Sequence, residues 1–252
     1  MEVKDLYLSW EDQTQHKWYP VGKLSFDKAK KTYCFQYLKG ASKSNNFKPF
    51  SPMLDLNAKY ESEENSLFPL FANRLLAKSR PEYKSFMKWL NLAENQNNPF
   101  LILAITGGIR ETDRLEVLQC PVKNGSDKYE TTFLIHGLRY LPTHCISRVN
   151  SLYPGEKLYI MRDIQNPFDP GAFALRTEDP VLIVGYCPRY LVRDFHEILQ
   201  NCDPESIIVN VEKVNKEAPL NLRLLCRLVA PWPREFKPCS SEEYNPISEE
   251  HT

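Results

Sequence analysis

Hydrophobic and polar residues alternate over much of the chain, which is the pattern that predicts half-buried β-strands. Apolar residues spaced three and four positions apart interrupt this alternation and predict amphipathic helices. The predicted strands are residues 3–10, 19–26, 32–37, 115–120, 129–136, 157–162, 172–177, 181–184, 206–214 and 221–229. The predicted helices are residues 67–78, 83–92, 99–105, 145–152 and 189–199.

The order of these elements predicts an α+β fold in three parts. A β-sheet with helices is expected over residues 1–110, a mainly β part over 111–235, and a flexible acidic tail over 236–252. Gly107 and Gly108 follow the predicted helix 99–105, and we interpret them as a helix C-cap and turn. The alternative is a backbone nest that holds an anion.

The charge balance limits the partners that the chain can be expected to bind. The 252 residues contain 32 basic and 32 acidic side chains, so the formal net charge is zero. A protein that binds polyanions along a broad surface usually has a basic excess, whereas a small nucleic-acid pocket needs none. The acidic, aromatic N-terminus does not resemble a signal peptide, and the apolar run 100–105 is too short to span a bilayer. We therefore expect no membrane partner.

The seven cysteines and five histidines do not form a recognisable catalytic or metal site. No CxxC pair, GxSxG, HExxH or P-loop occurs, so we expect no metal, no cofactor and no enzymatic activity. Widely spaced cysteines in a chain of this length favour a reduced, cytoplasmic protein. Pairs of a nucleophile with a base could form by chance among His136, His144, His196, Cys145, Cys187 and Asp169.

The most informative stretch extends from His136 to Leu199. Within it, the run Asn-Pro-Phe-Asp-Pro-Gly at 166–171 is a tight polar loop that holds Phe168 between two prolines. An ordered aromatic ring on a loop, with an Arg-Tyr pair nearby, suits stacking on a base and binding of its phosphate. The alternative is that Phe168 closes the end of a barrel and Asp169 caps a turn. Spacing alone favours neither.

Three motifs in this stretch resemble the HIRAN domain, in the type found as stand-alone bacterial proteins. They are Gly137-Leu138-Arg139-Tyr140, then Arg162-Asp163 through Asn166-Pro167-Phe168-Asp169 to Ala172, and Val184-Gly185-Tyr186 with Arg189. The resemblance covers about a quarter of the chain. It implies an OB-like β-barrel over 111–235 that binds single-stranded DNA or a DNA 3′ end.

The resemblance also implies a role for each of six residues. Arg139 and Arg189 would contact phosphates, Tyr140 and Phe168 would stack on terminal bases, and Asp169 would accept a hydrogen bond from the 3′-hydroxyl. Tyr186 would occupy a position that is often histidine, and Phe168 one that is often tyrosine, so hydrogen bonds of the replaced groups are in doubt. Seven basic and seven acidic residues lie between 136 and 200, which favours a small end-binding pocket over a long groove.

A second resemblance concerns the front half of the chain. The stretches 7–10, 20–26, 33–37 and 67–76 are similar to the N-terminal subdomain of HipA-type kinases, without the kinase core. This similarity implies a unit that contacts another protein, whose identity the sequence does not give. The leading hypothesis is therefore a non-catalytic, nucleic-acid-binding adaptor. Its rival is a protein-interaction or regulatory module of a bacterial stress, defence or toxin-like system with a vestigial DNA pocket.

Overall fold

The structure is a computed structural model that describes residues 3, 5–110, 112–123, 127–167, 169 and 171–248. The strands are β1 (Asp5–Asp12), β2 (Lys17–Asp27), β3 (Thr32–Tyr37), β4 (Lys59–Glu61), β5 (Leu115–Gln119), β6 (Lys128–Leu134), β7 (Lys157–Arg162), β8 (Phe173–Arg176), β9 (Ile183–Tyr186), β10 (Ile208–Val214) and β11 (Leu224–Pro231). The α-helices are α1 (Pro69–Ala72), α2 (Tyr83–Trp89), α3 (Pro99–Thr106), α4 (Thr143–Ser151) and α5 (Val192–Asn201). Every predicted strand is present, whereas the predicted helix 67–78 is reduced to the single turn α1.

The chain forms two compact units, each with its own sheet and core. One unit comprises Met1–Arg80, Asn97–Cys120 and Lys237–Thr252, and the other comprises Pro81–Gln96 and Pro121–Phe236. This grouping differs from the predicted boundaries at 110 and 235. We call them the front unit and the barrel unit, and each is described separately.

The front unit is a five-stranded antiparallel sheet with strand order β4-β3-β2-β1-β5. Alternation along the strands buries Leu6, Leu8 and Leu24 completely, and these residues pack with Phe71 and Leu103 from the helices. The predicted C-cap is present, because Gly107 ends α3 in the left-handed conformation at φ 66°.

Long-range contacts explain why the front unit includes β5 and part of the acidic tail. The buried guanidinium of Arg74 donates to Asp113 Oδ2 at 2.7 Å and to the Gly108 carbonyl at 2.8 Å, which fixes the chain just before β5. At the other end of the sequence, the amide of Ile247 donates to the carbonyl of Tyr37 at 3.1 Å. The residues around Ile247, for which the sequence predicts no helix or strand, thus pair with the end of β3.

The barrel unit is a six-stranded antiparallel sheet with order β6-β11-β10-β7-β8-β9. The sheet curls until the residue pair His136 and Tyr186 forms a bridge, with N–O distances of 2.8 and 2.9 Å. This bridge brings the chain after β6 against β9, so the first and last strands meet. The barrel-like sheet predicted from the sequence is confirmed in this form.

Helices α4 and α5 complete the core of the barrel unit through Val149, Phe195 and Ile198, all of which are buried. Helix α2 also belongs to this unit, because Asn215 Nδ2 donates to the carbonyl of Trp89 at 2.9 Å. The first motif of the sequence analysis follows β6, the second begins at the end of β7 and continues through the β7–β8 loop, and the third comprises the end of β9 and the turn after it.

Candidate nucleic-acid interface

A tight turn after β6 presents the first motif. His136 pairs with Tyr186, and Gly137 then adopts φ 76°. A Cβ atom at position 137 would lie 2.9 Å from Cδ2 of Tyr186, so both the backbone conformation and the close approach require glycine. Leu138 is buried and anchors the turn in the core. The turn therefore directs Arg139 and Tyr140 outward.

Arg139 and Tyr140 form an exposed cation and aromatic pair. The Cζ atom of Arg139 lies 4.7 Å from the centroid of the Tyr140 ring, and Tyr140 is 72% exposed. A large aromatic ring with this exposure is free to present a face to a ligand. The positive charge beside it suits a phosphate group attached to the stacked base.

The loop between β7 and β8 is held by a series of side-chain hydrogen bonds. Asn166 Nδ2 donates to Asp163 Oδ2 at 3.2 Å, and Asn166 Oδ1 accepts from the amide of Asp169 at 3.0 Å. Asp169 Oδ1 in turn accepts from the amide of Gly171 at 3.0 Å. These Asx-type contacts fix the direction of the Asp169 carboxylate before any ligand binds.

Tyr186 connects this loop to the turn after β6. Its hydroxyl donates to Asp163 Oδ2 at 3.0 Å, while its ring packs against Gly137. Burial, together with the hydrogen bond to the Asp163 carboxylate, raises the pKa of Tyr186, so the phenol stays protonated at neutral pH. The hydroxyl that replaces a common imidazole is thus engaged within the protein and holds the two loops together.

Arg189 approaches the loop from the chain that follows β9. Its Nη1 atom lies 3.5 Å from Asp169 Oδ2, and the two side chains are 32% and 20% exposed. Pro188 precedes Arg189 in a short 3-10 turn that ends at the buried Leu191, which fixes the backbone there. The carboxylate and guanidinium therefore partly neutralise each other at the surface.

Five of the six predicted residues are described, and they fall into two groups. Tyr186 and Asp169 are joined through Asp163 and Asn166, and Asp169 pairs with Arg189. Arg139 and Tyr140 form the second group, on the turn that contacts Tyr186. Phe168 lies outside the described residues. We name the surface formed by Arg139, Tyr140, Asp169, Tyr186 and Arg189 the end-binding surface.

Two residues at this surface escaped the sequence analysis. Asp163 is the acceptor that orients Tyr186 and Asn166, although sequence reasoning used it only as part of a motif. Ile164, the residue after Asp163 on the same loop, is 70% exposed. An apolar residue in a polar loop was the available signal, and Ile164 offers apolar contact area to a base.

Three buried titratable groups of the barrel unit are held in their neutral forms. Burial lowers the pKa of His136 to about 4, so the imidazole is neutral at pH 7. Burial also raises the pKa of the Cys187 and Cys226 thiols, which opposes thiolate formation. Among the residues that the structure describes, no three His, Cys, Asp or Glu side chains are grouped so as to hold a metal ion.

A groove elsewhere in the barrel unit has a volume of about 340 Å³. It is lined by Pro154, Gly155, Ile208, Asn210, Val211, Glu212, Arg227 and Val229. None of the five predicted residues that the structure describes contributes to this groove. We favour the end-binding surface as the candidate functional site, because its side chains combine cations, an exposed aromatic ring and a carboxylate acceptor.

Comparison with known proteins agrees with the placement of these motifs. Residues 128–233 match the model of the HIRAN domain. The match begins at the first residue of β6 and includes all six predicted residues. No curated protein matches the chain.

Two solved structures resemble part of the chain. A protein from Lactobacillus plantarum has 17% sequence identity and a TM-score of 0.31, over 40% of this chain and 95% of that one. The HIRAN domain of human HLTF has 18% identity and a TM-score of 0.28, over 42% of this chain and 78% of that one.

The similarity of the front unit to the HipA subdomain stays a prediction. No described helix is both long and apolar enough to cross a bilayer.

Proposed function

We propose that the HIRAN domain of this protein binds the 3′ end of single-stranded DNA at the end-binding surface. HIRAN domains bind single-stranded DNA or DNA 3′ ends, and residues 128–233 match this domain. The observation that carries the proposal is the hydrogen-bonded series from Tyr186 through Asp163 and Asn166 to Asp169, which ends at Arg189. It orients an acceptor and a cation, and Tyr186 at its other end contacts the turn that carries Arg139 and Tyr140.

Each group has a distinct task in this proposal. Arg139 and Arg189 bind backbone phosphates, Tyr140 and Phe168 stack on the last bases, and Asp169 accepts a hydrogen bond from the terminal hydroxyl. Two of its oxygen contacts are already made, but a carboxylate has about four lone-pair sites and retains capacity for a hydroxyl donor. Tyr186 positions the two loops rather than contacting the strand through its hydroxyl.

The rival hypothesis, a vestigial pocket in a protein-interaction module, requires these side chains to be turned inward and packed. The 72% exposure of Tyr140 favours the binding hypothesis.

We further propose that binding occurs without turnover of the DNA and that the front unit contacts a partner protein, so that the chain serves as an adaptor. Leu54 is 65% exposed in the front unit and is a suitable position to test partner binding. The adaptor role would be supported by a partner protein that stays bound to the DNA-bound wild type and is released by Leu54→Glu. The DNA affinity of this variant should be unchanged.

The test of end binding is competition between linear and circular strands. A labelled linear oligonucleotide bound to the protein should be displaced by an unlabelled linear strand and much less by a circular strand of the same sequence, which has no end. Arg139→Ala should weaken binding and reduce the slope of log affinity against log salt by about 0.7, the value for one phosphate on a single strand. Equal displacement by both competitors would refute end recognition. Cleavage of the label in Mg²⁺ or Mn²⁺, lost on mutation of one of the protein's own carboxylates, would refute the absence of turnover.

A further inference from the structure

A second charged cluster lies on the outer face of the β7–β8 hairpin. Leu158 and Leu175 are buried in the core, so the alternation of the strands places Tyr159 and Arg176 on the opposite face. Tyr159 and Arg176 are direct cross-strand partners. Their side chains are therefore neighbours on a surface that the core does not use.

Tyr159 holds two cations over its ring. The Nζ atom of Lys157 lies 5.0 Å from the ring centroid, and the Cζ atom of Arg176 lies 4.9 Å from it. The Tyr159 hydroxyl is hydrogen-bonded to the Glu178 carboxylate, so a negative charge also lies beside this ring. Two cations and one carboxylate leave a local positive excess. Nη1 of Arg176 donates to the carbonyl of Thr177 at 3.0 Å, and the guanidinium has further N–H donors for a ligand.

The cluster lies on the same face of the sheet as Tyr186. Ala174 pairs with Tyr186 across β8 and β9, and cross-strand partners point to the same face. Arg176 is two residues beyond Ala174, which is roughly 7 Å along the strand. The positive cluster thus lies within a short distance of the residue that joins the loops of the end-binding surface.

We propose that Lys157 and Arg176, held in place by Tyr159, bind a backbone phosphate of the same DNA strand whose 3′ end occupies the end-binding surface. This inference rests on the proposed function and extends it to nucleotides further from the end. A phosphate fits the cluster better than a base, because two cations already lie over the ring of Tyr159. Binding of an anion between them also relieves the repulsion of two like charges.

The test compares the binding of a dinucleotide with that of an octanucleotide. Both have the same two nucleotides at the 3′ end and a free 3′-hydroxyl. The variant carries Lys157→Ala and Arg176→Ala, and the matched control carries Lys216→Ala and Arg234→Ala, two exposed cations in other loops of the barrel unit. Affinity is measured by fluorescence anisotropy over a range of salt concentrations. Unchanged binding of the dinucleotide shows that the variant is folded.

We expect the Lys157 and Arg176 variant to lose roughly tenfold in affinity for the octanucleotide and to show a salt slope smaller by about 0.7, the value for one phosphate on a single strand. The dinucleotide and the control variant should show no such change. If both oligonucleotides bind wild type but the variant binds the octanucleotide normally, the inference is wrong and the proposed function stands. If wild-type protein binds neither oligonucleotide, both are wrong.

Discussion

The Nη1 atom of Arg189 lies 3.5 Å from Oδ2 of Asp169 at the mouth of the β7–β8 loop. In the proposed binding mode, an acid beside a bound phosphate is unfavourable unless its charge is compensated, and Arg189 would provide that compensation. A phosphate on Arg189 would also approach Asp169, so we expect the pair to accept a diester monoanion more readily than a terminal phosphate dianion. The predictions below test whether this pair distinguishes the chemical group at a strand end.

Gly137→Ala should destabilise the barrel unit and weaken DNA binding together. The new Cβ would meet Tyr186 at 2.9 Å in addition to the strain of φ 76°, and Tyr186 joins the two loops. We expect a loss of roughly 2 kcal/mol or more in the free energy of unfolding, measured in urea.

The matched control is Gly155→Ala. Gly155 has φ 87°, yet no atom lies within 4 Å of the Cβ that would be added. This variant should lose only the backbone contribution, about 1 kcal/mol, and should keep its DNA affinity. Equal losses in both variants would contradict the contact of Gly137 with Tyr186.

Tyr140→Ala should reduce DNA affinity without affecting stability. The side chain is 72% exposed, so its removal should change the free energy of unfolding by no more than about 0.5 kcal/mol. Loss of one stacked base should cost about 1–3 kcal/mol of binding, or roughly 5- to 150-fold in affinity. Tyr153→Ala, which removes another tyrosine that is 63% exposed, is the control and should bind as wild type does.

Asp194→Asn should alter the pH dependence of stability. Burial raises the pKa of Asp194 to about 6 from its usual value of 3.8, although Tyr129 donates a hydrogen bond to it at 2.8 Å. Between about pH 4 and 6 the folded protein thus binds more protons than the unfolded chain, and the contribution of Asp194 to stability falls as the pH rises.

The asparagine variant keeps an acceptor for Tyr129 but carries no charge. It should exceed wild type in the free energy of unfolding by roughly 1–3 kcal/mol at pH 7 and by much less at pH 4. Urea titrations of both proteins at several pH values give this difference. His136 makes an opposite contribution, because its lowered pKa makes stability rise with pH in the same range. This contribution is the same in both proteins, so it cancels when their free energies of unfolding are subtracted at each pH. A difference that does not depend on pH would contradict the burial of an ionised Asp194.

The strands were predictable because alternation and a β-rich composition are local properties, as in β10, where Val209 and Val211 are buried between more exposed neighbours. The unit to which β5 belongs was not predictable, because its local sequence is the same whichever strand it pairs with. The hydrogen bond between Arg74 and Asp113 fixes the chain before β5. These residues are 39 positions apart, so no local sequence pattern predicts their contact. The contacts of the C-terminal segment were not predictable for a related reason, since Ile247 pairs with Tyr37, which lies more than 200 residues earlier in the sequence.

The candidate site was predictable as a set of motifs but not as a hydrogen-bonded arrangement. Glycine before Arg139 and asparagine before Asp169 were visible in the sequence. The hydrogen bond between the Tyr186 hydroxyl and Asp163 was not visible, because it joins residues 23 positions apart, one at the end of β9 and one in the β7–β8 loop. Nor does charge counting over residues 136–200 reveal that Asp169 and Arg189 are paired.

The most direct test of 3′-end recognition is the affinity for two oligonucleotides that differ only at the 3′ end. One carries a hydroxyl and the other a phosphate, and both are measured by fluorescence anisotropy at the same salt concentration. Wild type should bind the hydroxyl form more tightly, because Asp169 accepts a hydrogen bond from a hydroxyl and repels a phosphate dianion. Asp169→Ala should lose this preference while retaining part of the affinity that stacking provides. Equal and weak binding of both oligonucleotides by wild type, unchanged by Tyr140→Ala, would contradict the proposal.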